Sequence, residues 1–176
     1  MIGLSILGGD PMMKSLSTVI GAALLALSLS AVAEDAKPAA PAAAPVEMGT
    51  EAEAQAMSEK AAKLVDEKGE AAFETFKAKD GGFQAKDLYV FCMDETGKML
   101  SHALKQDLVG KDMIGFDKYG DKPFEKMVAV SKSAEGKGWV DYKWPLPGGT
   151  DPQDKKSYII KNTKGFFCGV GVYVKK

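Results

Sequence analysis

After Thr50 the apolar positions fall at helical spacing. Met57, Ala61, Leu64 and Val65 form one stripe, and Ala72, Phe73 and Phe76 continue it, the 3.6-residue period of a helix that covers a core on one side. Thr50-x-x-Glu53 at its start is a capping box. Gly69 interrupts the stripe and predicts a kink between two helices. Lys60, Lys63, Asp66, Glu67 and Lys68 fall opposite and read as a solvated face.

Beyond Asp80-Gly81-Gly82 the pattern changes. Leu88-Tyr89-Val90-Phe91-Cys92-Met93 is apolar without a break, as expected of a central strand. Asp94-Glu95-Thr96-Gly97 predicts a hairpin turn into a second strand over 98–103, followed by a connector at Leu108-Val109-Gly110-Lys111 and a loop over 116–120. Pro123 suits a first helical turn, with Phe124, Met127, Val128 and Ser131 as the stripe. A third strand spans 138–145, a loop 145–154, and a fourth strand 157–161. The turn Asn162-Thr163-Lys164-Gly165 leads to a fifth strand over 166–174. The order is α+β: a long helix, two strands, a short helix, three strands. The long helix would cover one face of an antiparallel sheet, leaving a semi-enclosed space between the other face and segment 102–124.

Gly138-Trp139-Val140-Asp141-Tyr142-Lys143-Trp144-Pro145 holds both tryptophans. Alternation puts Trp139, Asp141 and Lys143 on one face and Val140, Tyr142 and Trp144 on the other. Flat walls beside a few polar groups are what a small-ligand pocket needs, and the phase of the strand leaves open which face would line it.

The N-terminal region stands apart. Met13-Lys14, an apolar run over 19–32 and Ala31-Val32-Ala33 have the order of a cleaved secretory signal, and the run is too short for a membrane span. The division expected is 1–33 for upstream residues and signal, 34–49 for an Ala/Pro-rich linker, and 50–176 for one folded domain. That predicts a periplasmic or secreted product with no membrane span after cleavage. Lys+Arg 23 against Asp+Glu 24 gives a net charge of −1 with no polybasic block, and apart from His102 every basic residue is a lysine. This excludes a nucleic-acid partner. Cys92 and Cys168 lack metal-ligand spacing, so no metal site is expected; in an exported chain such a pair favours a disulfide. No nucleophile–histidine constellation or phosphate loop is present. No catalytic residue and no cofactor is expected, and the chain does not read as an enzyme.

Gly82-Phe83, Asp87-Leu88-Tyr89-Val90-Phe91, Leu108-Val109-Gly110-Lys111, the tryptophan strand and Gly169-Val170-Gly171-Val172-Tyr173 together resemble single Cache domains, the PAS-like extracytoplasmic sensor modules of bacterial receptors and kinases. The resemblance covers residues 52–174. It implies a PAS-like five-stranded antiparallel sheet with the long N-terminal helix on one face and a small-molecule pocket on the other. It also implies that the first and last strands are neighbours, bringing Cys92 and Cys168 side by side as a disulfide. Receptor Cache domains are followed by a membrane helix; here the sequence stops at Lys175-Lys176, suggesting a free-standing exported form.

The candidate ligand-binding residues are His102, Trp139, Tyr142, Lys143, Trp144 and Tyr158. Lys143 would face a carboxylate, the tyrosines would donate hydroxyls and the tryptophans would wall the pocket, while Asp141 would neutralise Lys143. The expected function is periplasmic binding or sensing of a short organic acid. The alternative is an interaction module with a degenerate pocket, docking on a membrane receptor or kinase.

Overall fold

The computed structural model of the chain describes residues 47–174. The signal-like segment and all but the last residues of the linker lie outside the described residues. Helix α1 (Glu51–Lys68) begins as the capping box predicts: Thr50 Oγ1 accepts from Glu53 N at 3.2 Å, and the Glu53 carboxylate accepts from Thr50 N at 2.8 Å. Gly69 ends it with φ 61°, a left-handed conformation that glycine tolerates. A short 3-10 turn then leads into α2 (Ala72–Lys77), so the kink stands where the glycine placed it.

The strands are β1 (Gln84–Ala85), β2 (Leu88–Asp94), β3 (Met99–His102), β4 (Lys137–Pro145), β5 (Pro152–Lys161) and β6 (Phe166–Tyr173), with helix α3 (Pro123–Ser131) before β4. They form an antiparallel sheet in the order β1-β2-β6-β5-β4, with β3 also paired to β2. Two expectations need correction. The sheet has a sixth, two-residue strand, β1, and β5 begins at Pro152 rather than near Ser157. Pro145 pairs with Pro152, so the loop shrinks to residues 146–151. Proline lacks a ladder donor, but at a strand end that costs little, and these prolines therefore bracket the hairpin rather than abolish it.

The predominantly apolar β2 and β6 lie side by side at the centre, with Cys92 opposite Cys168 in the register. Their sulfurs are bonded at 2.09 Å. One face of the sheet (Leu88, Val90, Cys92, Cys168, Val170, Val172) packs under α1 and α2 against Ala54, Ala61, Val65, Ala72, Phe73 and Phe76. Asp66, which reads as a solvated residue, ties α1 to the β5–β6 turn: its carboxylate accepts from Thr163 N and Oγ1, each at 2.8 Å. The other face packs under α3 and the long connector 103–122, with Phe116, Phe124 and Trp144 in mutual ring contact at 5.5–5.8 Å. Residues 110–113 hold the connector down by bonding along β3, with Gly110 N to Met99 O at 2.8 Å and Met99 N to Lys111 O at 2.9 Å.

Candidate functional site

Alternation along five strands brings one set of polar side chains to the connector-covered face. Tyr89 comes from β2, His102 from β3, Tyr142 from β4, Lys155 and Ser157 from β5, and Tyr173 from β6. Lys155 stands directly between Tyr142 and Tyr173 in the register. It is 1% exposed. Its Nζ donates to the Tyr89 hydroxyl at 2.8 Å and lies 4.0 Å from the Tyr89 ring centre and 4.3 Å from that of Tyr173. Among the described residues no ion pair includes it. Burial draws its pKa well below the ordinary lysine value, with Asp87 opposing the shift.

The neighbours are already committed. The Asp87 carboxylate, fully buried, accepts from Gly49 N and from Tyr173 N, the latter at 3.2 Å. The Tyr142 hydroxyl and Ser157 Oγ bond at 2.8 Å, and the Tyr173 hydroxyl donates to Pro145 O. Burial, the leading cause in each case, raises the pKa values of Tyr89, Tyr142 and Tyr173, so all three remain phenols. His102 is 3% exposed and lies 5.0 Å from the Tyr89 ring. Its Nδ1 accepts from Leu104 N at 3.2 Å and Lys105 N at 3.0 Å. A nitrogen that accepts two backbone bonds carries no proton, so the ring is neutral with its proton on Nε2. Burial, then the charges of Lys155 and Lys105, push the His102 pKa down to about 3.

Beside these groups Phe91, Met99, His102, Phe124, Tyr142 and Trp144 line a cavity of about 10 Å³, room for about one water molecule. An open groove of about 360 Å³, lined among others by Asp121, Tyr142 and Lys155, lies at the β4–β5 edge. Gly171 makes the arrangement possible: a Cβ there would come within 2.3 Å of Lys155 Cε and 2.5 Å of Ser157 Oγ. Among the described residues no cluster of His, Cys, Asp or Glu is arranged to hold a metal ion.

Of the residues singled out in the sequence, the structure brings His102, Tyr142 and Trp144 to this face. Lys143 points the opposite way, is half exposed and pairs with Asp154 at 3.3 Å rather than with Asp141. Trp139 and Tyr158 stack at 5.1 Å on the helix-covered face, with Lys156 5.0 Å from the Trp139 ring. Sequence reasoning missed Lys155, Ser157 and Asp87, and treated Tyr89 and Tyr173 only as family markers. Extending β5 back by period two from Ile159 would have put Lys155 and Ser157 on an apolar face; the flanking prolines hid that phase.

An antiparallel sheet with a long helix on one face and a small cavity beside buried polar side chains on the other defines a PAS-like α+β sensor fold. The family model for the Cache domain matches residues 50–176, and the chain belongs to that family. Over 90 residues it is 36% identical to the methyl-accepting chemotaxis protein McpP of Pseudomonas putida, covering 50% of this chain but 16% of that protein. The chain thus spans about one sixth of that relative's length. Similar solved structures include a methyl-accepting chemotaxis protein from Vibrio parahaemolyticus (22% identity, TM-score 0.60, 70% of this chain and 88% of that one). A periplasmic sensor domain of a chemotaxis protein is 30% identical with TM-score 0.54. A Cache chemosensory domain described for its carboxylic acid recognition is 28% identical with TM-score 0.56. Each of these two covers 69% of this chain and 88% of the other.

Proposed function

We propose that this domain is an extracytoplasmic sensor module that binds a short carboxylate at Lys155, with His102, Tyr142 and Trp144 at the same site. The observation that carries the reading is a fully buried lysine with no carboxylate paired to it among the described residues. Removing a cation from water without a partner is costly, and folds keep such groups where a ligand supplies the charge. The carboxylic acid recognition described for a 28% identical Cache domain supports the same class of ligand. A buried disulfide suits an oxidising compartment, and the signal-like N-terminus agrees with export. The response would be passed to a membrane receptor or kinase. The cavity of about 10 Å³ lined by His102, Tyr142 and Trp144 is smaller than any carboxylate, so binding on that side entails outward movement of the connector 103–122.

The test is thermal denaturation of the purified protein with acetate, propionate, lactate, simple amines and amino acids. Carboxylates stabilise it, by about 2.7 kcal/mol at a hundredfold excess over Kd, and Lys155→Met abolishes the effect. The small cavity also favours a second reading, an interaction module whose pocket has closed. That reading expects no shift with any small molecule and co-purification with a membrane protein.

A further inference from the structure

We propose that the site takes a weak acid together with a proton: the carboxylate pairs with Lys155 as the amine becomes an ammonium, so the domain responds to carboxylate and proton concentrations jointly. This rests on Lys155 being the carboxylate-binding group, and it goes further in specifying which species is sensed.

The geometry is that of an amine with no carboxylate paired to it among the described residues. Among the described residues Lys155 Nζ has one hydrogen-bond partner, the Tyr89 hydroxyl, and two aromatic faces. The titratable groups around it come from every packed element. They are Tyr89 from β2, His102 from β3, Tyr142 from β4 and Tyr173 from β6, with Asp87 just before β2. Lys105 lies beyond His102, and Asp121 on the loop before α3. Four of these are neutral aromatic side chains, and Lys105 is a further cation that only repels. The negative charges are engaged elsewhere. Asp87 accepts from Gly49 N and Tyr173 N, Asp121 pairs with Lys126 at 3.6 Å, and Asp154, next in sequence, pairs with Lys143 on the opposite face.

An ammonium in such a place has lost its water and gained one phenol, two ring faces and a carboxylate at a remove. A buried lysine answers this by releasing its proton, and burial does pull Lys155 in that direction. The 2.8 Å contact serves the free amine equally well, with the Tyr89 hydroxyl then donating to Nζ. A carboxylate arriving at Nζ reverses the balance, since an adjacent anion favours the charged form. The nitrogen lone pair takes a proton from the buffer, an N–H bond forms, and the product is a carboxylate–ammonium pair. Entry of the undissociated acid gives the same product, its O–H bond breaking as the N–H bond forms. His102 is not the acceptor, because its Nδ1 is occupied by two backbone N–H groups and its Nε2 already carries a proton.

The experiment is titration calorimetry of the purified protein with propionate near neutral pH, in phosphate and in Tris, whose ionisation enthalpies differ. The expected result is a difference in heat corresponding to uptake of a substantial fraction of one proton. Affinity should also rise as pH falls, approaching tenfold per unit. Uptake should persist in Lys143→Gln, whose side chain lies on the opposite face of the sheet, and vanish in Lys155→Gln. Nitrogen-15 NMR of lysine side chains in the wild type reads the same event if Lys155→Gln does not fold. It should show a neutral Nζ in the free protein and an ammonium when propionate is bound. Propionate binding with equal heats in both buffers, or an ammonium in both states, overturns the proposal and leaves the carboxylate site standing. Absence of binding or stabilisation by any carboxylate removes the site itself.

Discussion

Lys155 and Gly171 are a pair in which the smaller residue decides what the larger can do. Lysine is rarely buried without a partner, and here its stem crosses β6 only because position 171 has no side chain. Gly171→Ala would set a methyl group 2.3 Å from Lys155 Cε, 2.5 Å from Ser157 Oγ and 3.1 Å from the Tyr142 hydroxyl. Gly171 is therefore a positioning residue for the amine. The substitution should cost about 1–3 kcal/mol, the usual penalty for overpacking, while urea unfolding stays cooperative. It should abolish stabilisation by carboxylates in the thermal assay. Unchanged ligand response would show that Lys155 does not need this seat.

Among the elements, β2 and β6 carry the most. They are central, buried on both faces and cross-linked between Cys92 and Cys168, 76 residues apart. Closing a loop of that length removes about 4 kcal/mol of chain entropy from the unfolded state. Both sulfur-bearing residues are fully buried on the helix-covered face, away from Lys155. Cys92→Ala with Cys168→Ala should lower the unfolding free energy by about that amount in urea titration, with the ligand response retained wherever the protein stays folded. The site and the staple thus occupy opposite faces of the same two strands. β5 shows the limits of reading elements singly. Its first residues look like loop because prolines bracket them, yet pairing with β4 over Pro145 to Pro152 makes them strand and turns Lys155 inward.

At the scale of the whole molecule, one sheet separates an apolar, helix-covered core from a face that stores buried ionisable groups. Those groups make the fold sensitive to acid. His102 is held neutral with its pKa pushed down to about 3, whereas in the unfolded chain it titrates near the ordinary histidine value of about 6.5. Below that value the unfolded state binds a proton that the folded state does not, so stability is full above it and falls as pH drops. From pH 7.5 to 5 the loss due to His102 is about 2 kcal/mol, in a window above most carboxylate titration. Lys155 acts in the same direction, starting from higher pH. Urea titrations at the two pH values should show His102→Gln losing about 2 kcal/mol less than the wild type across this window; equal losses would mean that the ring is protonated in the folded state.

Local features were legible wherever a side chain acts on its own segment. The capping box at Thr50, the break at Gly69, the hairpin at Asp94 to Gly97 and the stripe of α3 all depend on neighbours within a few residues, and period and turn chemistry were enough to place them. Family resemblance added the adjacency of β2 and β6, hence of Cys92 and Cys168. What only the tertiary structure decided was the phase of the sheet. A strand such as 138–145, with aromatics and charges on both sides, fits either orientation until its partners are known. The pairing of β4 with β5 and the packing of α3 turned Tyr142 and Trp144 inward and Lys143 out. The cation of the site comes instead from Lys155, because register, a property of two strands together, determines which of two adjacent lysines, Lys155 or Lys156, loses its water.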